Sequence, residues 1–151
     1  MKRLIQFIPT AFLVAFFCTG SCKCDEDRLP EDILMGSPCW KITIVEDFNP
    51  STNTWIVTTS SSVEACELDN CIQFHSDRTI RINEGATMCT PNGPQEFSGG
   101  TWSVTTDGDQ SDFTIKEAGE VYTGAIVELN DKKFVWETAD TGFRSRITYT
   151  N

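Results

Sequence analysis

Three cysteines, Cys66, Cys71 and Cys89, crowd the stretch EACELDNCIQFHSDRTIRINEGATMC. Residues of this type at this density support three chemistries: metal ligation, redox exchange or disulfide stapling. Structural zinc sites use tight ligand pairs, whereas Cys66 and Cys71 are separated by four residues and no second pair follows. His75 is the only histidine, and alternation with Ile72 and Phe74 turns it to the outer face of a strand. The reading therefore assigns no metal and no cofactor.

Catalysis lacks its parts. A Ser, Cys or Thr nucleophile needs a base beside it, and His75 alone is available. No H-E-x-x-H, G-x-S-x-G or glycine-rich phosphate loop is present. The turn DGDQSD places Asp107, Asp109, Ser111 and Asp112 close together, like part of a calcium loop. Its glycine is misplaced, however, and no distal glutamate closes it. Asp-Gly is explained as a hairpin turn. The remaining carboxylates crowd turns and the N-terminal region, where solvation accounts for them, so the chain reads as non-enzymatic.

The compartment decides between the cysteine chemistries. MKRLIQFIPTAFLVAFFCTGSC opens with Lys2 and Arg3, continues with an apolar run from Leu4 to Phe17 and ends in Thr19, Gly20 and Ser21. That is the layout of a secretory signal over residues 1–21. The run contains Gln6 and Pro9 and falls short of the roughly 20 residues that span a bilayer. Small residues directly before Cys22 resemble the bacterial lipoprotein signal, which implies that Cys22 is lipidated and becomes the mature N-terminus. Residues 22–30, with Asp25, Glu26 and Asp27 in a row, read as a solvated acidic tether. A lysine and acidic run at this place resembles the surface-export signal of Bacteroidetes-type lipoproteins. The expected location is the outer membrane, lipid-anchored, at the cell surface.

Export makes disulfides the default for paired cysteines. With Cys22 acylated, Cys24, Cys39, Cys66, Cys71 and Cys89 remain, and the odd count leaves Cys24 on the tether without a partner. The other four allow three connectivities.

All 22 acidic residues but only ten of the twelve basic ones lie beyond residue 21, so the mature chain carries a formal charge of −12. Such a surface repels phosphate backbones and excludes nucleic acid as a partner. It also leaves membrane contact to the lipid alone. Residues 31–151 have the length of one domain with a real core, expected to be monomeric.

The elements that position these residues are strands. Alternation sets Trp40, Ile42 and Ile44 on one face, then Ile72 with Phe74, Ile80 with Ile82, Trp102 with Val104, and Phe113 with Ile115. TWIVTT is β-branched and follows the turn cluster NPSTN. VYTGAIVEL and KKFVWET flank the hairpin signal NDKK, and FRSRITYT turns Phe143, Ser145, Ile147 and Tyr149 inward. Only LPEDILMG reads as a helix, opened by proline, acidic in its first turn and closed by Gly36. The fold expected is all-β, an antiparallel meander barrel of about eight strands with a short N-terminal helix.

Gly36 and WKIT, then Cys66 with Asp69-Asn70, Phe74, Cys89, GGTWSV and the terminal ITYT follow one another in an order similar to the lipocalin-like domain of bacterial lipoproteins. The resemblance spans nearly the whole mature chain. It implies a Cys66–Cys89 disulfide around the middle strands. Cys39 and Cys71, extra to that pattern, both fall on outward faces and are expected to form a second bond.

Trp40, Phe74, Trp102, Phe113, Phe134 and Trp136 alternate to one face of their strands and are the candidate pocket residues. In a small barrel they either fill the core or line a site for one ligand. The resemblance implies a small hydrophobic molecule. The alternative is a filled-core surface module that binds a protein or glycan partner through exposed aromatics, with Trp55 and Tyr122 as anchors.

Overall fold

A computed structural model describes residues 28–140 and 143–151. The expected signal peptide, Cys22, Cys24 and most of the expected tether lie outside the described residues. Pro30 starts the first helix, α1 (Pro30–Gly36), with Glu31 and Asp32 in its first turn, where they complement the helix dipole. Its Leu34 is fully buried, and the Leu34 carbonyl accepts a 2.9 Å hydrogen bond from the Trp40 indole.

The strands follow as β1 (Lys41–Asn49), β2 (Thr54–Val57), β3 (Cys71–Phe74), β4 (Thr79–Asn83), β5 (Glu96–Asp107), β6 (Gln110–Glu117), β7 (Glu120–Asn130), β8 (Lys133–Asp140) and β9 (Phe143–Thr150). A four-residue helix, α2 (Thr59–Ser62), follows β2. All neighbours pair antiparallel, in the order β2-β1-β9-β8-β7-β6-β5-β4-β3. Tight turns set the hairpin registers. Between Glu117 and Glu120 the chain turns through Ala118 and Gly119, both at positive φ, as hairpin twist requires.

The sheet is all-β and meandering, as expected, but it does not close into a barrel. The reason lies along the free edge of β1. From Glu46 to Asn49 that edge is taken by β2, and at Val45 Thr58 and Thr59 occupy the backbone groups. Just before β1, Trp40 reaches β3 through an isolated bridge with Ile72 whose two hydrogen bonds measure 2.9 and 2.8 Å. Beside it, Cys39 and Cys71 sit at disulfide distance, their Cα atoms 5.0 Å apart. The seam is thus fastened at one end and ungated along the rest.

The core is aromatic. Phe113 lies at its centre, with ring centroids 5.6 Å from Phe74, 5.1 Å from Phe134 and 5.2 Å from Trp136, each edge to face. Phe134 stacks on Tyr149, and Trp102 packs on Phe74. Edge-to-face pairs add about 0.5–1.5 kcal/mol each to the burial of the rings.

β5 reaches past β6 at its start. Gly100 marks the corner, with φ at +88° and so little room that a Cβ would lie 2.1 Å from the Lys116 carbonyl oxygen. Before it, β5 pairs with β4 alone; after it, β5 pairs with β6.

Candidate ligand cavity

The interior has two halves. All six aromatics expected to line a pocket, Trp40, Phe74, Trp102, Phe113, Phe134 and Trp136, are brought together, and all are buried in the packed half. They fill space instead of enclosing it. The cavity, about 550 Å³, lies beyond them and is lined by a different set. This volume falls in the range of about 300–1,000 Å³ typical of small-molecule sites.

Its floor and walls are aliphatic: Ile42 and Val45 of β1, Ile72 of β3, Ile82 of β4 and Ile147 of β9, with Val63 beside them. Phe97 and Phe143 complete the apolar surface, and Phe143, 55% exposed, stands at the mouth. Four strands, β1, β3, β4 and β9, build the two halves by the same rule. Two residues from a buried core position, on the same face, stands an aliphatic one: Ile42 after Trp40, Ile72 before Phe74, Ile82 after Ile80, Ile147 before Tyr149. That pairing is written in the alternation and was the available signal for the true lining.

Polar groups enter the wall at Asp47, Ser62, Glu67, Asn70, Glu117 and Ser145. The Ser145 hydroxyl donates to Asp47 Oδ1 at 2.7 Å. Asn70 is buried, and its Oδ1 has no hydrogen-bond partner among the described residues.

One side of the cavity is the segment after α2, which carries Val63, Glu67 and Asn70. It is held against the β4–β5 loop in two ways. Cys66 and Cys89 stand at disulfide distance, with Cα atoms 5.3 Å apart. Asp69 Oδ2 accepts 2.9 Å hydrogen bonds from the backbone N–H groups of Ala86 and Thr87. Both expected cysteine pairs are therefore brought together, one at the seam and one at the cavity wall.

The cavity lies at the end of the sheet opposite α1. Arg28 pairs with Asp131 in the β7–β8 turn, whereas Glu117 and Phe143 reach the cavity from the other ends of their hairpins.

The remaining candidates are placed as follows. Trp55 is half-buried against Phe48, and the guanidinium groups of Arg146 and Arg144 lie 4.1 and 5.3 Å from its ring, so it is already occupied. Tyr122 is half exposed. His75 follows the end of β3 and is half-buried; its Nε2 lacks a partner among the described residues. Asp107 and Gln110 pair directly, so DGDQSD is a hairpin turn through Gly108 and Asp109. Among the described residues the one grouping of metal-ligand type is Glu64 with Cys66 and Cys89, whose thiols face each other as a disulfide pair.

Glu137 on the outer face meets both Arg144 and Arg146. Partial burial raises its carboxyl pKa, but the hydrogen bonds from the two arginines outweigh this and hold it below the usual carboxylate range. Among the described residues no helix is long and apolar enough to cross a membrane.

Comparison with protein-family models, curated proteins and solved structures gave no match.

Proposed function

We propose that the protein is a lipid-anchored cell-envelope lipoprotein whose lipocalin-like, incompletely closed meander binds a small hydrophobic ligand. The half-open aliphatic cavity of about 550 Å³ carries this reading, because it exists beside a core that is already packed. A filled interior would have favoured a surface interaction module; here apolar side chains instead line an open cavity. Burial of an apolar ligand against Ile42, Ile72, Ile82 and Ile147 supplies roughly 25 cal/mol per Å².

The anchoring half of the proposal rests on the sequence before residue 28, with Cys22 as the acylated residue. Its fit with the fold is that the chain enters beside α1, at the end away from the cavity.

The test is a plugged cavity. N-phenyl-1-naphthylamine, which brightens in apolar surroundings, is expected to bind the native chain. Ile147→Trp is expected to abolish that signal while leaving the urea midpoint nearly unchanged. Equal probe fluorescence in both proteins would refute the cavity as the binding site.

A further inference from the structure

We infer that the cavity selects ligands with a hydrogen-bond-donating, positively charged head, a hydrophobic amine and not a fatty acid; this rests on the binding function proposed above. The charge and polarity of the wall point to such a head group. Three carboxylates, Asp47, Glu67 and Glu117, line the cavity, and among the described residues no lysine, arginine or histidine does. Arg144 and Arg146, on either side of Ser145 in sequence, pair with Glu137.

The wall is also rich in acceptors and short of donors. Asp47 Oδ1 accepts from Ser145, and Glu67 Oε2 accepts from the Glu64 backbone N–H, which leaves the second oxygen of each without a hydrogen bond among the described residues. Glu117 makes no side-chain hydrogen bond or ion pair among the described residues. Asn70, only 8% exposed, has a buried amide oxygen with no partner among the described residues. A carboxylate ligand would face three like charges, with only the neutral donors of Asn70 and Ser62 to set against them. An ammonium brings three donors and the complementary charge, and an alcohol brings one donor and no charge. The aliphatic floor takes the chain of any of them, so the discrimination belongs to the head group alone.

A matched series of octylamine, octanol and octanoate, titrated into the full chain with isotope-labelled isoleucine methyl groups, tests this. The methyl signals of Ile42, Ile72, Ile82 and Ile147 report occupancy at the cavity itself. The expected order is amine, then alcohol, then carboxylate, with the amine favoured over the alcohol by about tenfold, the value of one charge-assisted hydrogen bond. Glu117→Gln and Glu67→Gln, both at exposed positions, are expected to shrink the amine preference without changing alcohol binding. Equal affinities, or carboxylate binding tightest, would overturn the inference and leave the binding function standing. If none of the three shifts these methyls, the binding function falls with it.

Discussion

Phe113 touches four other aromatic rings from its place at the centre of the core and is fully buried. Phe113→Ala therefore leaves a void that rigid neighbours cannot collapse, and it is expected to cost about 3–5 kcal/mol in urea unfolding. Glu137 acts differently, through charge. Its folded-state pKa is depressed, so its stabilising contribution is full above the ordinary carboxylate range and is lost as pH falls through the lowered value. Glu137→Gln is expected to flatten the acid limb of stability against pH between about 5 and 3, measured as the urea midpoint at each pH. Single residues also mark where alternation stops being readable. Trp40, Ile42 and Ile44 read as one inward face, but a bulge between Ile42 and Ile44 shifts the register, leaving Ile44 40% exposed and Val45 buried. A bulge inserts one residue without any compositional mark, so period two alone cannot reveal it.

At the scale of elements, helix α1 and the strands rich in β-branched and aromatic residues were legible because each buries one face. The helix α2, TSSS, was not, since it has no buried residue to set a period. Yet the segment following it builds one wall of the cavity, and its position depends on long-range ties. The Cys66–Cys89 pair spans 23 residues, so in the chain-entropy model its removal costs about 3–3.5 kcal/mol. Substituting both cysteines by alanine is expected to lower stability by that amount. It should also raise amide exchange in residues 62–70 and 84–90 beyond the global change, because the Asp69 hydrogen bonds alone then hold the two segments. Uniform exchange across the chain would show that the staple acts only on the unfolded state. Cys39 and Cys71 have a separate role, next to the Trp40–Ile72 bridge that fastens the seam.

For the whole molecule, local patterning predicted the meander but overran at closure. Whether the sheet closes depends on what occupies the free edge of β1, and β2 with Thr58 and Thr59 takes it before β3 can. The same geometry separates the interior into a packed aromatic half and an open aliphatic half. Aromatic residues drew the sequence reading because they bury the most area, and they are in the packed half for the same reason. The cavity belongs mainly to aliphatic side chains at equivalent inward positions, with Phe97 and Phe143, which only the assembled sheet brings together.

The central claim is that this open half holds a hydrophobic molecule. Native mass spectrometry of the chain exported through an oxidising compartment, compared with its denatured mass, tests it most directly. The account predicts an excess of a few hundred daltons in the native spectrum that disappears on denaturation, and that excess is lost in Ile147→Trp. A native mass equal to the denatured mass, with the cavity still bare after incubation with envelope lipid extract, would contradict it.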